Sequence, residues 1–93
     1  MKGEKEILFI TLAKIRGKIT PTFLEATQKA LKAPPPGINI HNILWTLGQY
    51  DFVVIYEAPN EKEAMKMAIP WVEFCETQTM VAISNEEAQK MLK

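Results

Sequence analysis

Ninety-three residues, 47% of them hydrophobic, point to a single small domain spanning residues 1–93, one that buries about two-thirds of the surface its unfolded chain exposes. Eleven Lys and Arg balance eleven Asp and Glu, so the basic footprint of a phosphate- or lipid-tracking protein is missing, and neither nucleic acid nor membrane is an expected partner. The single cysteine, Cys75, forms no internal disulfide; with a mixed-charge start and an apolar run at residues 7–12 far below the roughly 20 needed for a membrane span, a reducing, cytoplasmic setting is expected.

Residues 7–13 (ILFITLA) are apolar on both alternating faces, which predicts a central strand covered on both sides. Thr20-Pro21 supplies an N-cap and a proline at the first helical position. Phe23, Leu24, Thr27, Ala30 and Leu31 then recur at helical spacing, and this helix should end before Pro34. The Pro34-Pro-Pro-Gly37 segment lacks donors for helix or sheet, so it reads as a stiff extended connector rather than a proline-recognition motif.

Two apolar runs flank Gly48-Gln49, which predicts a hairpin closed by a two-residue type II′ loop with Gly48 at positive φ. That turn would set Leu47 opposite Tyr50, Thr46 opposite Asp51, Trp45 opposite Phe52, Ile43 opposite Val54 and His41 opposite Tyr56. One face would then gather His41, Trp45, Tyr50, Phe52 and Tyr56, while Leu44, Val53 and Ile55 make the other apolar too. Both faces need cover.

Asn60 with Glu63 forms a capping box, Ala64, Met67, Ala68 and Trp71 share a helical face, and Pro70 should end that helix. Ser84 with Glu87 forms a second box, opening a terminal helix through Met91. Two successive strand-helix-strand halves make a split βαβ arrangement, the ferredoxin-like α+β topology.

At Gly48, Tyr50, Asp51, Glu57, Ala58, Pro59 and Asn60 the chain resembles the GYD-domain family, whose signature is a Gly-x-Tyr-Asp turn, an apolar strand and a Glu-Ala-Pro-Asp/Asn helix start. Residues 77–87, with a Thr-x-Thr core and an acidic end, are similar to the family's closing strand. The resemblance covers the last half to two-thirds of the chain. It implies a ferredoxin-like βαββαβ domain with an antiparallel sheet, of the dimeric α/β-barrel type, with no settled activity.

No catalytic constellation stands out. A single Cys and a single His cannot close a tetrahedral metal site within one subunit. The Gly-rich loop of a phosphate cradle is missing, and no cofactor is expected. Tyr50–Tyr56 superficially matches an RNA-recognition strand, but the motif's basic residue and second glycine are absent. Cys75 has acidic sequence neighbours, Glu73 and Glu76, and reads as a packed thiol rather than a nucleophile.

Two function classes remain. The first is a homodimeric ligand-binding or interaction module, joined to a second copy of itself through the sheet; a small molecule would sit in an apolar pocket between sheet and helices or at the subunit interface, with Trp45, Tyr50, Phe52 and Trp71 as candidate contacts, although Trp45, Phe52 and Trp71 read first as core. The second, by analogy with related dimeric α/β barrels, is a cofactor-free oxygenase or isomerase acting on a small organic compound. His41, Tyr56 and Asp51 would be its candidate acid-base groups. A pocket in which these three converge would favour the enzyme, and a filled interior with them exposed or internally paired would favour the module.

Overall fold

The computed structural model describes residues 6–92 and has the element order β1 (Ile7–Ile15), α1 (Pro21–Lys32), β2 (Asn39–Trp45), β3 (Phe52–Ala58), α2 (Glu61–Ala68), a 3-10 turn (Ile69–Trp71), β4 (Cys75–Ala82) and α3 (Asn85–Met91). The mixed-charge start, residues 1–5, lies outside the described residues. Four strands form one antiparallel sheet in the order β2-β3-β1-β4, so α1 and α2 each cross between strands that are not neighbours. This is the split βαβ, ferredoxin-like α+β fold. β1 lies inside the sheet, as its two apolar faces require.

Alternation along the strands divides the sheet. Phe9, Thr11 and Ala13 of β1 and Phe52, Val54, Tyr56 and Ala58 of β3 are buried on the face beneath the helices. α1 and α2 contribute Phe23, Ala64 and Met67 to that core. Phe23 is its hub, with ring centroids 5.7 Å from Phe52, 5.6 Å from Trp71, 5.9 Å from Phe74 and 6.4 Å from Trp45. The opposite face carries Leu8, Ile10 and Leu12, paired with Glu57, Ile55 and Val53 on one side and with Ala82, Met80 and Gln78 on the other. Among the described residues none of its side chains reaches full burial, and α3 borders one end of it, where Glu87 lines a cleft with Leu8, Glu57 and Ala82.

The helix caps are those the sequence specifies. Thr20 Oγ1 accepts from the Phe23 amide, Asn60 Oδ1 from that of Glu63 and Ser84 Oγ from that of Glu87. Within α1 the buried strip is narrower than expected: Phe23 and Thr27 are buried, whereas Leu24 and Leu31 remain nearly half exposed. Residues 23 and 27 point at the sheet, which rotates 24 and 31 to the flank.

Three local expectations are corrected. The polyproline segment turns rather than runs extended: Gly37 takes φ +84° and the Ile38 amide donates to the Pro35 carbonyl at 3.1 Å, because Pro-Pro-Gly suits a type II turn. The β2–β3 loop is wider than two residues. Its closing bond runs from the Thr46 amide to the Asp51 carbonyl at 2.9 Å, and the Thr46 hydroxyl donates to the Tyr50 carbonyl at 2.7 Å, leaving residues 47–50 as the loop. Gly48 keeps the expected positive φ, +125°. Finally, Trp45 faces Phe52 and Ile43 faces Val54 as expected, but a bulge at His41 sets Ile40 opposite Tyr56. The extra residue turns His41 away from Tyr56.

Candidate functional site

The Gly-Tyr-Asp turn is a clamp. Beyond Ala13 the β1–β3 ladder stops, and the Asp51 carboxylate takes over: Oδ2 accepts from the Ile15 amide at 2.7 Å while the Asp51 amide donates to the Ala13 carbonyl at 2.8 Å. A charged acceptor here satisfies a strand-end donor that no neighbouring strand reaches. Tyr50 extends from the same loop to β4, its hydroxyl donating to Gln78 Oε1 at 2.9 Å. Gln78 belongs to the uncovered face, so Tyr50 leaves the aromatic set beneath the helices. Next to the clamp, the Arg16 guanidinium donates to the Val72 carbonyl at 2.7 Å and the Arg16 amide to the Phe74 carbonyl at 2.8 Å. Cys75 is fully buried there. Burial pushes its thiol above the ordinary value; Arg16 pulls it partly back, and Asp51 pushes it further up.

The three candidate acid-base residues do not converge. Tyr56 is fully buried beneath the helices, its hydroxyl 3.0 Å from Thr11 Oγ1, which lies 2.8 Å from Thr79 Oγ1. This short hydroxyl chain satisfies itself. The void beside it, lined by Thr11, Tyr56, Met67 and Trp71 among others, has a volume of about 10 Å³, at most one water. His41 lies at the β2 edge beside the uncovered face, with Nε2 3.3 Å from Glu57 Oε1 and its side chain 43% exposed. Asp51 is occupied by the Ile15 amide. Such an arrangement offers hydrogen bonds and packing rather than a poised proton relay.

Three of the four candidate aromatic contacts are brought together: Trp45 and Phe52 lie 5.2 Å apart and Phe52 and Trp71 6.2 Å apart, all around Phe23. Phe52 is buried in this packing, Trp45 closes its edge, and Trp71 also faces outward into a groove between α1 and α2. The groove has a volume of about 360 Å³, within the usual range for small-molecule sites, about 300–1,000 Å³. Its floor is Met67, Trp71 and Phe74, and Ala26 and Ala30 of α1 with the C-cap Ala33 leave it open. Lys29 and Lys66 are its charged lining residues. Sequence reasoning found Trp71 but not the rest; the signal was the spacing of Ala26, Ala30 and Ala33, where bulkier residues would have filled the space.

Fold and clamp together define a small ferredoxin-like α+β domain whose signature turn is structural. The chain belongs to the GYD domain family: the family's model matches residues 12–92, beginning inside β1 and so reaching further upstream than the motifs alone carry the resemblance. No curated protein matches the sequence. Among the described residues, no cluster of side chains suited to holding a metal ion occurs, and no helix is long and apolar enough to cross a membrane.

Proposed function

We propose that the protein is a homodimeric, noncatalytic binding module whose two copies meet through the uncovered faces of their sheets, each carrying a small molecule in its α1–α2 groove. The observation that carries this reading is the uncovered face itself. Leu8, Ile10 and Leu12 run along its centre, flanked by Val53 and Ile55, with Leu44 and Met80 about 40% exposed or more. A contiguous apolar face of this kind marks an interaction surface. A second copy fits it because a two-fold axis near Ile10 lays the same apolar stripe on itself. α3 supports the reading: it buries none of its residues within the chain and leaves Met91 and Leu92 more than 70% exposed.

The filled interior around Tyr56 and the separation of His41, Tyr56 and Asp51 favour binding over proton transfer. A buried free thiol and the balanced charge support an intracellular, cytoplasmic protein that binds neither nucleic acid nor membrane. Sedimentation velocity at micromolar concentration tests the assembly. A dimer is expected, and Ile10→Glu, which places two carboxylates against each other at the centre of the interface, should return a folded monomer. A wild-type monomer at tens of micromolar would overturn the proposal.

A further inference from the structure

The α1–α2 groove has a chemical character that narrows its occupant. Its lining combines an aromatic floor, Trp71 and Phe74, with the thioether of Met67, alanine walls and two lysines, and no acidic residue. Lys66 is 60% exposed and 3.3 Å from Glu63, which lies one turn away on α2 and outside the groove lining. Lys29 stands in the last turn of α1 and lines the same groove. Two exposed lysines on flexible stems lining an apolar slot complement a ligand with a flat apolar body and a negative end.

We propose that this groove binds a small organic anion of the aromatic carboxylate class, with its ring system against Trp71 and Phe74 and its carboxylate toward Lys29 and Lys66. The volume suits one or two fused rings, and the aromatic floor favours stacked or edge-on contact with them. The carboxylate stays at the wet rim, so binding costs little desolvation and the two cations select charge rather than supply most of the affinity. This inference rests on the groove being the ligand site proposed above, and it does not depend on the dimer.

The test uses naphthoate and its neutral counterpart naphthylmethanol as probes, titrated into the full chain and followed by amide and indole chemical shifts. Naphthoate should saturate with shifts centred on Ala26, Ala30 and the Trp71 indole, and bind about tenfold more tightly than naphthylmethanol at low salt, the scale expected of two exposed ion pairs. The Lys29→Gln/Lys66→Gln double variant should erase that preference while leaving naphthylmethanol affinity unchanged. Ala30→Leu, which fills the slot with a good helix former, should weaken both probes about tenfold or more. Equal affinities for the two probes, a preference that survives loss of both lysines, or shifts centred away from the groove would each overturn the inference. Sedimentation of the same samples separates the readings: a monomer that still discriminates the probes removes the assembly and keeps the groove, and a dimer that does not discriminate does the reverse.

Discussion

Replacing Asp51 with alanine tests whether the family's signature turn is scaffold or chemistry. In the native chain the carboxylate accepts from the Ile15 amide at 2.7 Å, at the point where β1 has outrun its pairing with β3. A hydrogen bond to a charged acceptor contributes about 1.5–3 kcal/mol, and its loss leaves a half-buried donor without a partner. The backbone bond from residue 51 to the Ala13 carbonyl survives the substitution, so the loss should be confined to about 2 kcal/mol. For a domain of this size each kcal/mol moves the melting temperature by about 4–8 °C, giving a fall of roughly 8–16 °C. Asp51→Asn keeps an acceptor oxygen and should lose about half as much. Thermal unfolding followed by circular dichroism at neutral pH reads both. If Asp51→Ala melts with the wild type, the carboxylate is not holding β1 and the clamp is misassigned.

Gly48→Val forces a β-branched residue to φ +125° and should cost about 1–3 kcal/mol through backbone strain alone, because nothing lies within 4 Å of the added Cβ; an unchanged urea midpoint would contradict it. The Cys75 thiol is held above its ordinary value, 9.0, so the unfolded chain loses this proton first: stability should be full below about pH 9 and decline as pH rises from there toward the folded value, with Cys75→Ala flattening that part of the profile. His41→Gln should leave fold, self-association and naphthoate affinity unchanged; a change in association would give the His41–Glu57 pair a part in the interface that its exposure at the sheet edge does not require.

What the sequence discloses is governed by how local the cause is. Caps are local, and Thr20, Asn60 and Ser84 each cap the amide three residues on, as the spacing of their helices demands. The face of β1 is nearly as local, since period-two alternation fixes which residues share a side. The register of β2 is not, because a single bulge at His41 reverses the facing of that residue while leaving Trp45 and Ile43 in place. Nothing in the side chain of His41 announces the extra residue; bulges depend on how the edge strand must twist to follow its neighbour. The groove is the least legible feature. It exists because α1 carries alanines where α2 and the 3-10 turn after it carry Met67 and Trp71, and the space between them is a property of neither sequence segment alone.

This division bears on where function should be sought in the fold. A family signature invites the assumption that its residues do the family's work, yet here Gly48 supplies a backbone angle, Tyr50 ties the loop to β4 and Asp51 ends a strand. Each already makes a bond or holds a backbone angle within the chain, so recruiting those same groups to a ligand would compete with the sheet. The capacity left unspent lies elsewhere, in the apolar face centred on Ile10 and in the lysine-rimmed groove above Trp71. A scaffold that fixes its motif internally can vary those two surfaces without disturbing the fold, which lets one architecture serve different partners. Substitutions at Lys29, Lys66 or Ala30 should therefore change what the protein binds, whereas substitutions at Asp51 should change only whether it stays folded.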